Sequence, residues 1–272
     1  MKKIIQLIIT AALLAGCKNE PGDLAPADTK IAFYNASQVL RKEVEQKNQY
    51  SATKPAFILL NTKAPVKPDT LPPMDKQGYA YFALSAGGQQ FCPLGYSSIT
   101  TIPWMSYMRV TPGRQDISFL DTDTTLLVTG KLDIPRDAET TVFLADSLGQ
   151  YRTIVTNDAH TAPANGISLR FVHAAPDTGK LRLKVNQAWL PQTWSFGEAS
   201  AFADLPMADS LQSAIYRIQL SPASDTSKVL SKYVLKADRR QIYTLIANGY
   251  FDYHDETDYM APDFRLNIFR NK

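Results

Sequence analysis

Apolar and polar residues alternate with a period of two in short windows along both halves of this chain, and few windows show helical spacing. The pattern of the first half returns in the second. Together these observations predict an all-β chain in which one module occurs twice. The predicted fold is two tandem immunoglobulin-like β-sandwiches, residues 29–160 and 165–272, behind a leader and a short tether.

Lys2 and Lys3 precede an apolar run over residues 4–14. That run is too short to cross a hydrocarbon core about 30 Å thick, so residues 1–16 read as a secretory signal peptide. Leu14-Ala15-Gly16-Cys17 resembles the bacterial lipobox. The resemblance implies cleavage before Cys17 and lipidation of its thiol; an ordinary signal peptide followed by a chance cysteine is the alternative. Residues 17–28 form a polar tether containing Pro21, Gly22 and Pro26, with too little apolar surface to fold. Lys18-Asn19-Glu20, with Asp23 nearby, is similar to the charged export tags of surface lipoproteins in the Bacteroidetes. The expected location is the outer membrane, held by lipid, at the cell surface.

The chain of 272 residues has room for two domains of about 100–150 residues. Its 44% hydrophobic and 20% charged composition is that of an ordinary globular protein. The formal net charge is +3, and Lys2 and Lys3 leave with the signal. No strong field remains to steer nucleic acid, so no nucleic-acid partner is expected. No other apolar run approaches 18 residues, which argues against a transmembrane helix. Of the two cysteines, Cys17 is assigned to lipid, leaving Cys92 without a disulfide partner. Cys92 reads as a small buried hydrophobe; a reactive thiol would need a base, and His160, His173 and His254 are distant in sequence.

Along the first half, Ile31 and Phe33 alternate with Lys30 and Ala32 as a strand. Residues 37–45 switch to helical spacing, with Ser37 as the cap. Residues 56–60 are strand-like. Residues 63–75 hold Pro65, Pro68, Pro72 and Pro73, which cannot donate to a ladder, so this is a surface loop. Strands follow at 79–84, 108–110, 117–120, 125–132, 140–145 and 151–155, the last two joined by a turn over residues 146–149. Polar residues 156–166 mark the boundary. In the second half, Ile167, Leu169 and Phe171 form an inward row, then Leu181, Leu183 and Val185, then Tyr243, Leu245 and Ala247, then Phe264, Leu266 and Ile268.

The repeat can be aligned. Residues 31–36 match 169–174, 56–61 match 181–186, and 140–146 match 242–248. Ile102-Pro103 matches Leu205-Pro206, and residues 108–110 match 216–218. Leu169-Arg170-Phe171-Val172-His173-Ala174-Ala175-Pro176-Asp177, then residues 181–186, then Tyr216-Arg217-Ile218 in one strand and residues 240–245 in another, resemble the domain of unknown function 4397 family over most of residues 167–248. The resemblance implies lipid-anchored or secreted β modules, often in tandem, and carries no assigned activity. Over residues 29–155 it is weaker: Asn35 stands where His173 does, and no Pro-Asp follows.

Three groups are candidate sites. His173 and Asp177 flank a turn; both read as structural, the histidine bonding the turn backbone and the aspartate satisfying local N–H groups. A general base there would lack a nucleophile, since no G-x-S-x-G, H-E-x-x-H or S-x-x-K occurs. The loop carrying Tyr250, Phe251, Tyr253 and Tyr259 is dense in rings and carboxylates, and its aromatic side chains suit recognition. Rings folded back on the sandwich are the alternative, and the oxygen-rich carboxylates would suit Ca²⁺; the spacing lacks the glycine and terminal glutamate of an EF-hand, and no metal site is assigned. Trp189 and Trp194 are either core cover or a ligand platform. Asp121-Thr122-Asp123 reads as a turn.

No catalytic residue, no cofactor and no enzymatic activity is expected. The function expected is that of an outer-membrane lipoprotein binding or adhesion module, or an accessory subunit of an outer-membrane complex. The alternative is a glycan-binding lipoprotein assisting a nutrient importer.

Overall fold

The computed structural model describes residues 28–48, 56–61, 82–84, 90–91, 105, 107–121, 123–252 and 263–271. Residues 1–27 with Cys17, the proline-rich stretch 63–75, Cys92, Ile102-Pro103, Tyr253 and Tyr259 lie outside the described residues.

The described chain is nearly all β. The first half contains β1 (Lys30–Asn35), α1 (Gln38–Asn48), β2 (Ala56–Leu60), β3 (Phe82–Leu84), β4 (Gln90–Phe91), β5 (Met108–Arg109), β6 (Gly113–Leu120), β7 (Leu126–Ile134), β8 (Glu139–Ser147) and β9 (Gln150–Asn157). The second contains β10 (Gly166–Ala174), β11 (Leu181–Val185), β12 (Ala188–Trp189), β13 (Ala203–Pro206), β14 (Ser213–Pro222), β15 (Ser231–Asp238), β16 (Ile242–Asn248) and β17 (Arg265–Arg270). They pair into four sheets: β5-β1-β8-β9 and β4-β3-β2-β6-β7, then β13-β10-β16-β17 and β12-β11-β14-β15. In each half the opening strand pairs in parallel with a late one, β1 with β8 and β10 with β16.

The helix starts where the sequence predicts. Ser37 Oγ accepts the Leu40 N–H at 3.0 Å, and Asn35 Oδ1 accepts the Ser37 N–H at 2.9 Å. Side-chain oxygens thus satisfy amides that the first turn leaves without partners. Leu40 of α1 is fully buried among Ile31, Phe33, Ile58, Ile117, Phe119, Val142 and Leu144, which come from the two sheets of the first half. The second half closes on its own core, with Leu169, Phe171, Tyr243 and Leu245 from one sheet against Leu183, Ile218, Leu220 and Leu235 from the other.

A third core lies between the halves. The outer face of β5-β1-β8-β9 brings Ala32, Tyr34, Phe143 and Ala145 against Val172, Ala174, Ile246 and Phe269 of β13-β10-β16-β17. The Tyr34 and Phe269 rings stack at 5.3 Å. Each large apolar side chain buried this way contributes roughly 1.5–3 kcal/mol, so the two halves pack into one four-layered stack.

The two halves share a local signature. Asn61 and Asn186, at the ends of β2 and β11, have φ of 56° and 55°. Asn61 exchanges backbone N–H and side-chain Oδ1 bonds with Asp116, and Asn186 does the same with Arg217. Asparagine tolerates this left-handed conformation better than most residues.

Three expectations about register and strand content need correction. Phe33 pairs with Val142, but Phe171 pairs with Leu245. Residue 142 therefore corresponds to 245, and the gapless match of 140–146 with 242–248 is one residue out of phase. Met108–Arg109 form an edge strand against β1, whereas Tyr216, Arg217 and Ile218 lie in β14 of another sheet. The counterpart of β5 is β13, the edge strand against β10. Arg240, with φ of 64°, sits in the turn before β16 rather than in a strand.

Candidate functional site

One cleft, about 480 Å³, opens where turns of both halves meet α1. Val39 and Lys42 of the helix form one wall, Ser147 and Leu148 of the β8–β9 turn another, and Pro176, Asp177, Tyr250 and Asp252 the rest.

The turn sets its shape. Leu148 and Gly149 have φ of 50° and 82°, a pair of left-handed residues that matches the right-handed twist of a hairpin. Position 148 usually takes Asn, Asp or Gly, yet here it is a leucine 84% exposed. A non-glycine residue held there costs of order 1–3 kcal/mol of backbone strain. The turn is fixed from across the halves: the Tyr250 hydroxyl accepts the Leu148 N–H at 2.6 Å and donates to the Asp146 carboxylate. Burial, then the Asp146 carboxylate, pushes the Tyr250 hydroxyl well above its ordinary range. Burial likewise raises Tyr151 to about 12, reinforced by Asp146. Neither phenol ionises at neutral pH, so both remain hydrogen-bond donors. The far wall is tied by Asp177, whose carboxylate accepts the Asp252 N–H at 2.9 Å.

The predicted site residues divide. Asp177 and Tyr250 meet in the cleft, though Tyr250 is only 6% exposed and acts as a brace rather than a free ring. Phe251 lies edge-on to Phe264 at 5.8 Å, with Lys228 Nζ 4.6 Å from its centroid. His173 is fully buried; its Nε2 lies 2.8 Å from the Gly179 carbonyl and its Nδ1 accepts the Ala175 N–H at 3.3 Å. Trp194, 4% exposed, packs edge-on against Phe171 at 5.2 Å inside the second core. Trp189 is half-buried on another face, with Arg182 and Lys184 each 5.5 Å from its ring. These tryptophans therefore form no shared platform. Asp121 Oδ1 accepts the N–H groups of Asp123 and Thr125, both at 2.8 Å, closing a turn. Among the described residues, no group of three or more His, Cys, Asp or Glu is placed to hold a metal ion.

Two clusters escaped the sequence reading. His160 Nε2 lies 2.9 Å from Ser168 Oγ and 3.2 Å from Asp204 Oδ1, and Ser168 donates to Asp204 at 2.6 Å. Serine and aspartate meet the same imidazole nitrogen, and Ser168 is fully buried. Nucleophilic activation requires them on opposite nitrogens, so the cluster is a structural knot. The second is Arg170, buried with Asp158 between the halves. Its signal in the sequence is a lone cation inside an apolar strand.

A family model described as "Domain of unknown function (DUF4397)" matches residues 86–184. The match runs from the first half through β10 into β11 and straddles the connector between the halves. It overlaps the resemblance read from residues 167–248 only at 167–184. No curated protein matches the chain.

Proposed function

We propose that this protein is a non-enzymatic lipoprotein of the outer membrane, lipidated at Cys17 and exposed at the cell surface. In this reading two immunoglobulin-like modules present a binding site for another outer-membrane component. The observation that carries it is Leu148, a large apolar side chain held outward on strained backbone at the lip of an apolar cleft. Strain of this kind persists where surroundings over-determine it, and it gathers at binding sites. The cleft has apolar walls with Lys42, Asp177 and Asp252 at its margin, which suits an apolar side chain flanked by polar groups. The acyl chains hold the protein at the membrane, at about 0.8 kcal/mol per buried CH₂. The glycan-binding alternative draws on exposed rings, and Trp194 and Tyr250 are buried.

The test is purification of the tagged, lipidated protein from its own outer membrane in mild detergent. Wild type is expected to bring down a stoichiometric partner, and Leu148→Asp to lose it while staying in the membrane fraction. Cys17→Ala is expected to leave that fraction. A partner retained undiminished by Leu148→Asp, or wild type recovered alone, would overturn the reading.

A further inference from the structure

We propose that the outer face of the sheet β12-β11-β14-β15 docks flat on an anionic membrane, through phosphate-bearing lipid headgroups.

Alternation sorts this sheet cleanly. Leu181, Leu183, Val185, Tyr216, Ile218, Leu220, Leu235 and Ala237 point into the core. The intervening positions point outward, and the register puts Lys184 beside Gln219, Gln219 beside Lys232, Arg217 beside Val234 and Ile215 beside Lys236. Arg182, Lys184, Arg217, Lys232 and Lys236 therefore share one face. The one carboxylate in these four strands is Asp238, at the edge, and Arg270 reaches it at 3.5 Å.

The first half provides an internal control. The Asn61–Asp116 and Asn186–Arg217 pairs equate β6 with β14, and the ladders then equate β7 with β15. In the first half these outward positions form Arg114 beside Asp133, Asp116 beside Lys131, and Ser118 bonded to Thr129 at 3.1 Å. Their counterparts are Ile215 beside Lys236, Arg217 beside Val234, and Gln219 beside Lys232. One copy of the module neutralises its face with opposite-charge pairs. The other sets each cation beside an uncharged residue.

Two features favour a planar surface over a linear polyanion. The five cations spread over roughly 10 Å by 20 Å, from strand spacings of about 4.8 Å and residue pairs of about 6.8 Å. A single strand of anions would meet only one row of them. Between the cations, Ile215 and Val234 are 56% and 65% exposed, and Trp189 lies under Arg182 and Lys184. Apolar and indole groups interleaved with cations suit the headgroup layer.

The test uses the chain from residue 17 onward with Cys17→Ser, so it stands apart from both the apolar leader and the lipid anchor. Sedimentation is measured with vesicles of phosphatidylcholine containing phosphatidylglycerol, and with phosphatidylcholine alone. Binding is expected to the anionic vesicles and to fall with salt. Arg217→Gln/Lys232→Gln/Lys236→Gln is expected to weaken it roughly 100-fold. Arg114→Gln/Lys131→Gln/Arg136→Gln removes the same charge from the first half and is expected to change it little. Unchanged thermal midpoints confirm that both variants fold. Equal binding to both vesicle types, or equal loss in both triple variants, would overturn the proposal. Retention on heparin that depends on this face, without binding to anionic vesicles, would also overturn it and assign the face to a linear polyanion.

Discussion

Arg170 Nη1 lies 2.5 Å from Asp158 Oδ1, and both side chains are cut off from solvent between the two halves. The carboxylate also accepts Thr156 at 2.9 Å and Tyr107 at 2.6 Å, and Thr141 donates to it as well. Arg170 Nη2 reaches Thr244 at 3.0 Å, and its guanidinium lies 4.5 Å from the Phe202 centroid. Burial, followed by the Asp158 charge, pushes the Tyr107 hydroxyl far above its ordinary range, so it stays a donor. Removing one partner strands a buried charge. Arg170→Met is expected to lose about 3–5 kcal/mol by urea unfolding. Arg170→Met/Asp158→Leu, which removes both charges, is expected to recover much of that. A single variant costing less than its double would contradict this account.

Asn61 and Asn186 give a matched pair of tests, one in each half. Each combines a left-handed backbone with a side-chain oxygen that accepts a β-strand amide. Alanine is expected to cost about 1–3 kcal/mol at either site, because it loses the acceptor and resists positive φ. Glycine is expected to cost less, since it keeps the backbone freedom. The two sites share no partner, so the alanine costs are expected to add in chemical denaturation.

These asparagines also mark how far the sequence could be read. The match of residues 56–61 with 181–186 holds because β11 alternates buried and partly exposed residues, which fixes its phase. The match of 140–146 with 242–248 slips by one because β8 and β16 are buried on both faces, as the third core requires. An apolar run without alternation carries no phase, and one residue of slip exchanges the faces. The same packing hides Arg170, whose partner arrives from the connector. The cleft was illegible for another reason: its walls come from residues 39–42, 147–148, 176–177 and 250–252, which only the stacking of the halves brings together. Trp194 and Tyr250 stood out as rings in the sequence, and the fold uses them as core and brace.

In the proposed reading, Leu148 sets stability against binding. Leu148→Gly removes the strained side chain from a left-handed position and an exposed apolar group from solvent. It is expected to stabilise the fold by about 1 kcal/mol, read as a rise in thermal midpoint of about 2–4 °C. On that same reading the substitution is expected to abolish partner recovery. A more stable variant that still binds would separate the strain from the function.

His173 gives a pH dependence whose sign follows from its surroundings. Burial lowers its pKa from 6.5, opposed by the Gly179 carbonyl and by the charges of Glu198 and Asp177. Nε2 donates to Gly179, and Nδ1 faces the Ala175 N–H, so a second ring proton would meet a donor. The folded state therefore keeps the imidazole neutral after the unfolded chain has begun to protonate. Below pH 6.5 the unfolded state binds more protons, and stability falls as pH falls. The contribution is fully present above pH 6.5 and is lost down to the lowered folded pKa. Between those limits the slope approaches about 1.4 kcal/mol per pH unit. His173→Gln keeps a donor for Gly179 but cannot titrate. The difference in unfolding free energy between wild type and His173→Gln is therefore expected to be flat from pH 8 to about 7. Below that, wild type should lose stability relative to the variant. A difference that stays constant down to pH 5 would mean that His173 protonates in place, and that Gly179 rather than burial governs it.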